Sequence, residues 1–265
     1  MDIMSLFRFS LKCYDMGLYL KGLRAKVKYS KFNKLARRNV ELRNYKKSDK
    51  CYICGNGPSL KKVNLDELDG DTIVMNDHWR IAPNFKTRPT FYMLNDIAYI
   101  DDSFRERMLG VLKCFPDIPH ILPSSMGATI EKKYNSINTN LYYYNSQGTT
   151  FKHNHTIDFT QETHAVWNIV TRAIQLALYL EYKKIYLIGC DYSLFASRYL
   201  THVYDKEDIK TECPFRLRDM LFKYSFTTHI HYEIAEYAKK ENICITNLTT
   251  ESLLDAYDID SNSKF

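Results

Sequence analysis

Cys51-Tyr-Ile-Cys-Gly-Asn-Gly-Pro-Ser59 decides how the chain is read. Tyr52-Ile53-Cys54 is a short apolar run that reads as a buried strand. It stops at Gly55-Asn56-Gly57-Pro58-Ser59, and a polar, helix-capable stretch opens at Leu60-Lys61-Lys62. The pattern is strand, glycine turn, helix. Glycine adopts positive φ and lets backbone approach a ligand closely. Unpaired N–H groups at a helix start favour an anion, and Asn56 and Ser59 add side-chain donors at the same mouth. Two readings stand: a cradle for a nucleotide phosphate or sugar nucleotide, and a tight turn with no ligand. The spacing matches neither the dinucleotide fingerprint nor the P-loop.

Outward from this stretch, apolar runs predict strands over 72–75, 90–94, 120–122, 184–188 and 243–245. A helix or turn falls over about 60–68, and helical patterns over 100–114, 163–181 and 228–240, the second of these with Ala165, Ile169, Ala173, Leu176 and Leu180 on one face. Residues 69–71 read as a turn and 83–89 as a loop. Residues 124–160, with Tyr142-Tyr-Tyr144, and 194–224 read as irregular; long connections of this kind are usually functional or mobile. The alternation predicts an α/β fold with a Rossmann-like, mostly parallel sheet flanked by helices. Four expected strands end in polar clusters: Gly55-Asn56, Asn76-Asp77, Asn95-Asp96 and Gly189-Cys-Asp-Tyr192. In open α/β sheets ligands bind beyond the carboxyl ends of strands. Helix capping accounts for one or two such clusters; four together point to a shared binding rim.

The charge is uneven. The chain has 265 residues with 37 Lys/Arg against 31 Asp/Glu, a net of +6. Residues 1–50 hold 14 of the cations and 4 of the acids, a net of +10, which leaves the body near −4. A nucleic-acid groove across the body is therefore not expected. Met4, Phe7, Leu11, Tyr14, Leu18 and Leu20 form an apolar stripe beside Lys21-Gly-Leu-Arg-Ala-Lys-Val-Lys28, Arg37-Arg38 and Lys46-Lys47. Residues 1–48 are read as a basic, amphipathic helical extension that lies on an anionic membrane surface; the alternative is a helix packed on the domain, followed by a solvated linker. Residues 49–265 are read as the nucleotide-sugar-binding domain. Seven cysteines without a framework spacing suggest reduced thiols in a cytoplasmic setting. Cys51 and Cys54 lie three apart on a strand, so they face opposite sides and do not form a redox or metal pair. No apolar run is long enough to span a bilayer, and no signal-peptide pattern opens the chain.

Cys54-Gly-Asn-Gly-Pro-Ser-Leu60, Ile73-Val-Met-Asn76, Phe91-Tyr92 with Asn95, and Tyr182-Lys-Lys-Ile-Tyr-Leu-Ile-Gly-Cys-Asp-Tyr192 together resemble the bacterial single-domain sialyltransferases. The likeness covers about 51–99 and 165–250, and a wider group of flagellin nonulosonic-acid transferases and surface-polysaccharide proteins looks similar around Gly189–Tyr192 and His202-Val-Tyr-Asp205. The resemblance implies a GT-A-type Rossmann fold and an inverting, metal-independent transfer. The donor would be a CMP-activated sialic acid or related acid sugar, with no cofactor beyond that donor substrate. It implies that Gly55, Asn56, Gly57 and Ser59 face the donor's ribose and phosphate. Asn76 and Asn95, with Asp77 and Asp96 beside them, would bind donor sugar or phosphate, and Gly189 and Asp191 would lie near the nucleotide. Tyr199 matches a tyrosine that holds the departing phosphate; Tyr192 stands one residue before the position, here Ser193, of a second. A Thr-Ser pair becomes Asn168-Ile169, and the family's general-base histidine falls on Ser225. The base is then one of His202, His229 and His231.

Such a transfer needs a base for the acceptor hydroxyl, donors on the leaving phosphate and a cover against water, for which 194–224 is suited. His229 and His231 point about 200° apart on a helix, so at most one faces a cleft. His153 and His155 alternate without an evident third metal ligand. Asp69-Gly-Asp71 has the letters of a metal clamp but reads as a turn before a strand, which keeps a nucleotide-diphosphate-sugar transferase as an alternative. A non-catalytic nucleotide-binding protein of polysaccharide assembly is the other. The expected partners are a nucleotide-sugar donor, a glycan or lipid-linked glycan acceptor in surface polysaccharide or lipopolysaccharide synthesis, and the inner face of the cell membrane. Homo-oligomerisation is compatible with all of this.

Overall fold

Nine parallel strands form one sheet in a computed structural model that describes residues 3–134, 137, 140–205 and 211–260. They are β1 (Lys50–Cys54), β2 (Asp71–Met75), β3 (Phe91–Met93), β4 (His120–Pro123), β5 (Leu141–Thr150), β6 (Glu162–Ala165), β7 (Lys184–Ile188), β8 (Cys244–Asn247) and β9 (Asp258–Ile259). Their spatial order is β6-β5-β4-β3-β2-β1-β7-β8-β9. The chain winds outward from β1 to β6, then returns to lay β7 against the other side of β1, pairing Lys50 with Lys184 and Cys54 with Ile188. The order reverses between β1 and β7, so the crevice beyond their carboxyl ends is the topological switch point.

Six helices flank the sheet: α1 (Ile3–Lys28), α2 (Ser30–Leu35), α3 (Arg105–Lys113), α4 (Gly127–Tyr134), α5 (Ile169–Tyr179) and α6 (Leu217–Lys240). Strands covered on both faces read as continuous apolar runs, and β1 shows why. Cys51 and Ile53 face one core with Ala173, Ile174 and Ala177 of α5 and Ile230 and Ile234 of α6. Tyr52 and Cys54 face the other, with Met108, Val111 and Leu112 of α3 and Ile130 of α4. The opposed faces expected of Cys51 and Cys54 are thus observed.

Several segments depart from the sequence reading. The stretch 124–160 is not irregular: it holds α4 and the ten-residue β5, whose first half contains Tyr142, Tyr143 and Tyr144. Residues 135, 136, 138 and 139 of that stretch, and 206–210 of the expected cover, lie outside the described residues. The helix expected over 163–181 begins only at Ile169; Ala165 belongs to β6, and Asn168 caps α5 by accepting the Thr171 N–H at 2.8 Å. The late helix starts at Leu217, eleven residues earlier than expected, so α6 takes in residues 217–224 of the expected cover. Over 60–68, read as a helix or turn, the chain makes two 3-10 turns, Pro58–Lys62 and Leu65–Glu67.

The N-terminal stretch enters the core. Phe32 packs on the Tyr143 ring with centroids 5.4 Å apart, and Leu42 is fully buried. Asn39, also fully buried, donates from Nδ2 to the carbonyls of Tyr143 (2.9 Å) and Phe159 (2.7 Å). Along α1 the stripe Phe7, Leu11, Tyr14 and Leu18 faces the domain: Tyr14 lies 4.7 Å from the Trp167 ring, and Phe7 lies 5.4 Å from Phe226. Asp15 on the same side accepts the Thr150 N–H at 2.8 Å. Leu20 points outward instead, and the Met4 side chain lies outside the described residues.

Truncating Asn39 would strand two buried carbonyls, each costing about 1–3 kcal/mol. Asn39→Ala is expected to lower the urea-unfolding free energy by at least that much. A loss below about 0.5 kcal/mol, the level of a surface substitution, would show that 36–45 is not part of the fold.

Candidate functional site

The β1 and β7 loops meet backbone to backbone. Gly55 N–H donates to Ile188 O at 2.8 Å and Gly57 N–H to Gly189 O at 2.9 Å. A Cβ on Gly55 would lie 2.3 Å from Gly189 O, and one on Gly57 would lie 1.9 Å from Asp191 Oδ2. Gly189 itself sits at φ +62°. The glycines therefore serve a close approach between loops.

Asp191 is the centre of this junction. Its Oδ1 accepts Ser59 N–H at 3.2 Å and its Oδ2 accepts Ser59 Oγ–H at 2.7 Å. The anion expected at the start of the turn after β1 is thus the protein's own carboxylate. Ser59 is consumed by it and lies outside the main cavity, which corrects its expected role on a donor phosphate.

The cavity, about 240 Å³, opens at the switch point. Gly55, Asn56 and Gly57 from the β1 loop, Asn76 after β2, Asn168 before α5, and Gly189, Asp191 and Tyr192 after β7 line it. Asn56 donates from Nδ2 to Met75 O at 3.0 Å, while its carbonyl holds Val203 N–H at 2.9 Å and so anchors the 201–205 loop over the cavity. Asn76 has φ +49°, a left-handed conformation that asparagine tolerates. The Oδ1 atoms of Asn56 and Asn76 are both buried and lack a hydrogen-bond partner. Both atoms are shielded from solvent, so in this conformation the two residues wall the cavity without presenting their side-chain oxygens to it.

His202 lines the same cavity. Its Nδ1–H and its backbone N–H both donate to Asp205 Oδ2, at 3.0 and 2.8 Å, and its ring stacks on Tyr204 at 5.0 Å. With Nδ1 held by a carboxylate, Nε2 is the acceptor. This is the geometry of an oriented general base. Sequence reasoning quoted His202-Val-Tyr-Asp205 but missed Asp205 as the orienting group and Tyr204 and Tyr224 as cavity walls. Burial raises the Tyr204 phenol above its ordinary value, so it stays a proton donor.

The other expected residues have different work. His231 is fully buried, pairs through Nδ1 with Tyr257 OH at 2.9 Å, and is pushed by burial down to about 3. His229 faces α1, edge-on to Phe7 at 5.6 Å and 3.6 Å from Glu233. Neither lines the cavity. Tyr192 lines it, but its hydroxyl is engaged with Thr228 Oγ1 at 3.0 Å on α6. Tyr199 is not a cavity wall; it bridges to Glu212. Asp77 is buried in an ion pair with Arg107, Nη2 to Oδ2 at 2.6 Å, and accepts Tyr99 OH. Asp96 caps a 3-10 turn through Ala98 N–H at 3.0 Å, and Asn95 accepts from Tyr144 OH away from the cavity. Asn168 lines the cavity while its side chain caps α5.

Asp69 and Asp71 stand at the opposite, amino end of the sheet. Asp69 accepts from Tyr52 OH at 2.8 Å and Lys50 Nζ at 2.5 Å. Asp71 opens β2 and accepts from Lys47 N–H at 2.7 Å, Tyr182 OH at 2.7 Å and Thr90 Oγ1 at 3.1 Å. They cannot clamp a metal at the cavity, which removes the feature that favoured a nucleotide-diphosphate-sugar enzyme.

No family model matches the chain, and no curated protein does. Among solved structures, the chain is similar to the sialyltransferase CstII from Campylobacter jejuni in complex with the substrate analogue cytidine-5'-monophosphate. The identity is 16%, over 80% of this chain and 85% of that one, with a TM-score of 0.46. It is likewise similar to the monofunctional alpha-2,3-sialyltransferase Cst-I from the same organism, at 15% identity, 82% of each chain and a TM-score of 0.43.

The buried His231 makes a pH prediction. In the unfolded chain an imidazole takes up its proton near 6.5, but His231 in the fold resists it until about 3. Between those values the unfolded state binds more protons. The stability is fully present above 6.5 and falls as pH drops through that window. Urea midpoints measured from about pH 7.5 to about pH 4 should fall less steeply in His231→Phe than in the wild type. An identical slope would place the titration elsewhere, for example on His78, which burial lowers to about 4.

Proposed function

We propose that the protein is an inverting glycosyltransferase that uses a CMP-activated sialic acid or related acid sugar. The observation that carries this is a carboxylate-oriented histidine lining a cavity at the switch point, beside Asn56 and Asn76. A binding module gains nothing from His202–Asp205, which favours an enzyme over a non-catalytic assembly protein. The reading rests on this cavity and on the motif resemblance of the β1 and β7 loops, not on the overlap with solved structures.

The chain's own residues supply each step. Asn56 and Asn76 wall the space that would receive the donor. The acceptor hydroxyl gives its proton to His202 Nε2, and Asp205 stabilises the resulting imidazolium. The hydroxyl oxygen bonds the anomeric carbon as the C–O bond to the phosphate breaks, with inversion, and CMP departs. Tyr204, which lines the cavity, is assigned the hydrogen bond to the leaving phosphate.

CMP should raise the melting temperature by linkage. His202→Ala should cut transfer by about 10²-fold or more, the usual worth of a general base, while the CMP-induced shift persists. Asp205→Asn should cut it less. No CMP shift in the wild type would end the nucleotide reading; full activity in His202→Ala would end its role as base.

The second part of the proposal is attachment to the inner face of the membrane, where a lipid-linked acceptor of surface polysaccharide or lipopolysaccharide would be met. Among the described residues no helix is long and apolar enough to cross a bilayer. Opposite the packed stripe, however, α1 exposes a second one: Leu6, Phe9, Met16, Leu20, Leu23 and Val27. Lys12, Arg24 and Lys26 flank it. An apolar stripe edged by cations suits an anionic lipid surface and repels a second copy of itself. The triple substitution Phe9→Glu, Leu20→Glu and Leu23→Glu should lower binding to phosphatidylglycerol vesicles by about tenfold or more. CMP binding should be unchanged. Undiminished vesicle binding would defeat this assignment.

A further inference from the structure

A second cavity, about 300 Å³, lies further along the same carboxyl rim, beyond β4, β5 and β6 and beneath α1. Tyr14 and Lys21 of α1 and Tyr29 just after it line one side, and Ser124 and Ser125 after β4 with Ser146 within β5 line the other. Residues 165–170 form the partition between the two cavities: Val166 and Trp167 line this one, while Asn168 and Ile169 line the first. No carboxylate lines the second cavity, and Lys21 is the one charged side chain among the described lining residues.

Directly behind its wall stands Arg172. It is fully buried. Nη2 donates to Ser146 Oγ at 2.6 Å, Nη1 to Thr163 Oγ1 at 2.7 Å and Gln175 Oε1 at 2.8 Å, and the guanidinium lies 4.8 Å from the Tyr144 ring. Its Nε has no partner. Burial brings it down only to about 10, so it is charged at neutral pH. Burying a cation costs several kcal/mol unless an anion compensates. The other buried charges among the described residues are compensated. Asp77 has Arg107, Asp71 accepts four hydrogen bonds, and Asp15 has the Thr150 donors with Lys152 at 3.5 Å. Arg172 has neutral partners only, and one of them, Ser146, is a wall of the cavity.

We propose that this cavity binds an anionic group carried on a sugar, a carboxylate or a phosphate, and that it holds the acceptor beside the donor. Serine hydroxyls and Lys21 contact the anion, and Arg172, acting through Ser146, supplies the compensating field. The acceptor role rests on the transferase reading; the preference for an anion does not.

The test uses the full chain and a matched series: methyl glucuronide (carboxylate), glucose 1-phosphate (phosphate) and methyl glucoside (neutral), titrated with and without CMP. At least one anionic probe should bind about tenfold or more tightly than the glucoside, and which one does so identifies the source of the anion. Lys21→Glu and Arg172→Gln should each abolish that preference while leaving CMP affinity unchanged, and Arg172→Lys should retain most of it. Equal affinities across the series would overturn the proposal, as would a preference undiminished in Lys21→Glu. Lys21 is exposed, so that variant decides the matter if Arg172→Gln does not fold. Anion preference without CMP binding would keep this cavity and refute the transferase reading; CMP binding without anion preference would do the reverse.

Discussion

The carboxylate of Asp191, holding the amide and hydroxyl of Ser59, is the interaction on which the rest of the site depends. It closes the seam between the strand that starts the sheet and the strand that returns beside it. Only glycine fits at 57, because a side chain there would occupy the same space as the carboxylate. With the internal anion in place, the turn after β1 has no vacancy for a phosphate. The ligand space is displaced toward β2 and the start of α5, where Asn76 and Asn168 become its walls. Asn56 then does two things at once: its carbonyl pins Val203, which brings His202 over the cavity, and its side-chain amide donates to Met75 O, tying the exits of β1 and β2 together.

What could be read in the sequence follows from which strands are covered on both faces. β1, β2 and β7 are short apolar runs with glycine or asparagine exits, and they were legible nearly to the residue. β5 and β6 were not. The second half of β5, Asn145-Ser-Gln-Gly-Thr-Thr150, is polar, includes Gly148 at φ +88° and shifts register against β6. Its polar groups are satisfied from far along the chain, by Asp15 at Thr150 and Arg172 at Ser146. No local pattern encodes partners 135 and 26 residues away.

The candidate site was legible to the same extent. Strand exits announced Asn56, Asn76 and Asp191, but not their division of labour. Asp77 and Asp96 carry the same letters at equivalent exits, yet one is neutralised by Arg107 and the other caps a turn. Among the histidines, spacing on a helix could separate His229 from His231 but could not show that both point away from the rim. His202 was ambiguous until its carboxylate neighbour was seen to face it.

The N-terminal helix joins these themes. Its inner stripe packs Tyr14 into a three-ring cluster with Trp167 and Phe226, with centroids 4.7, 4.5 and 5.7 Å apart. The next residue, Asn168, is both the cap of α5 and a wall of the first cavity. The helix that roofs one cavity therefore fixes the partition of the other through a single packed side chain. The sequence pattern reads as one stripe, with Leu20 on it; the structure divides the apolar residues between two faces and puts Leu20 on the outer one. The stripe at 7, 11, 14 and 18 packs on the domain, and the stripe at 6, 9, 16, 20, 23 and 27 stays outside. A helix needs one apolar face to join a domain; keeping a second exposed costs solubility, and that cost is offset only if something covers it. The cations along its edges favour an anionic surface as the cover, and that surface would hold the roofed cavity where a membrane-bound substrate arrives.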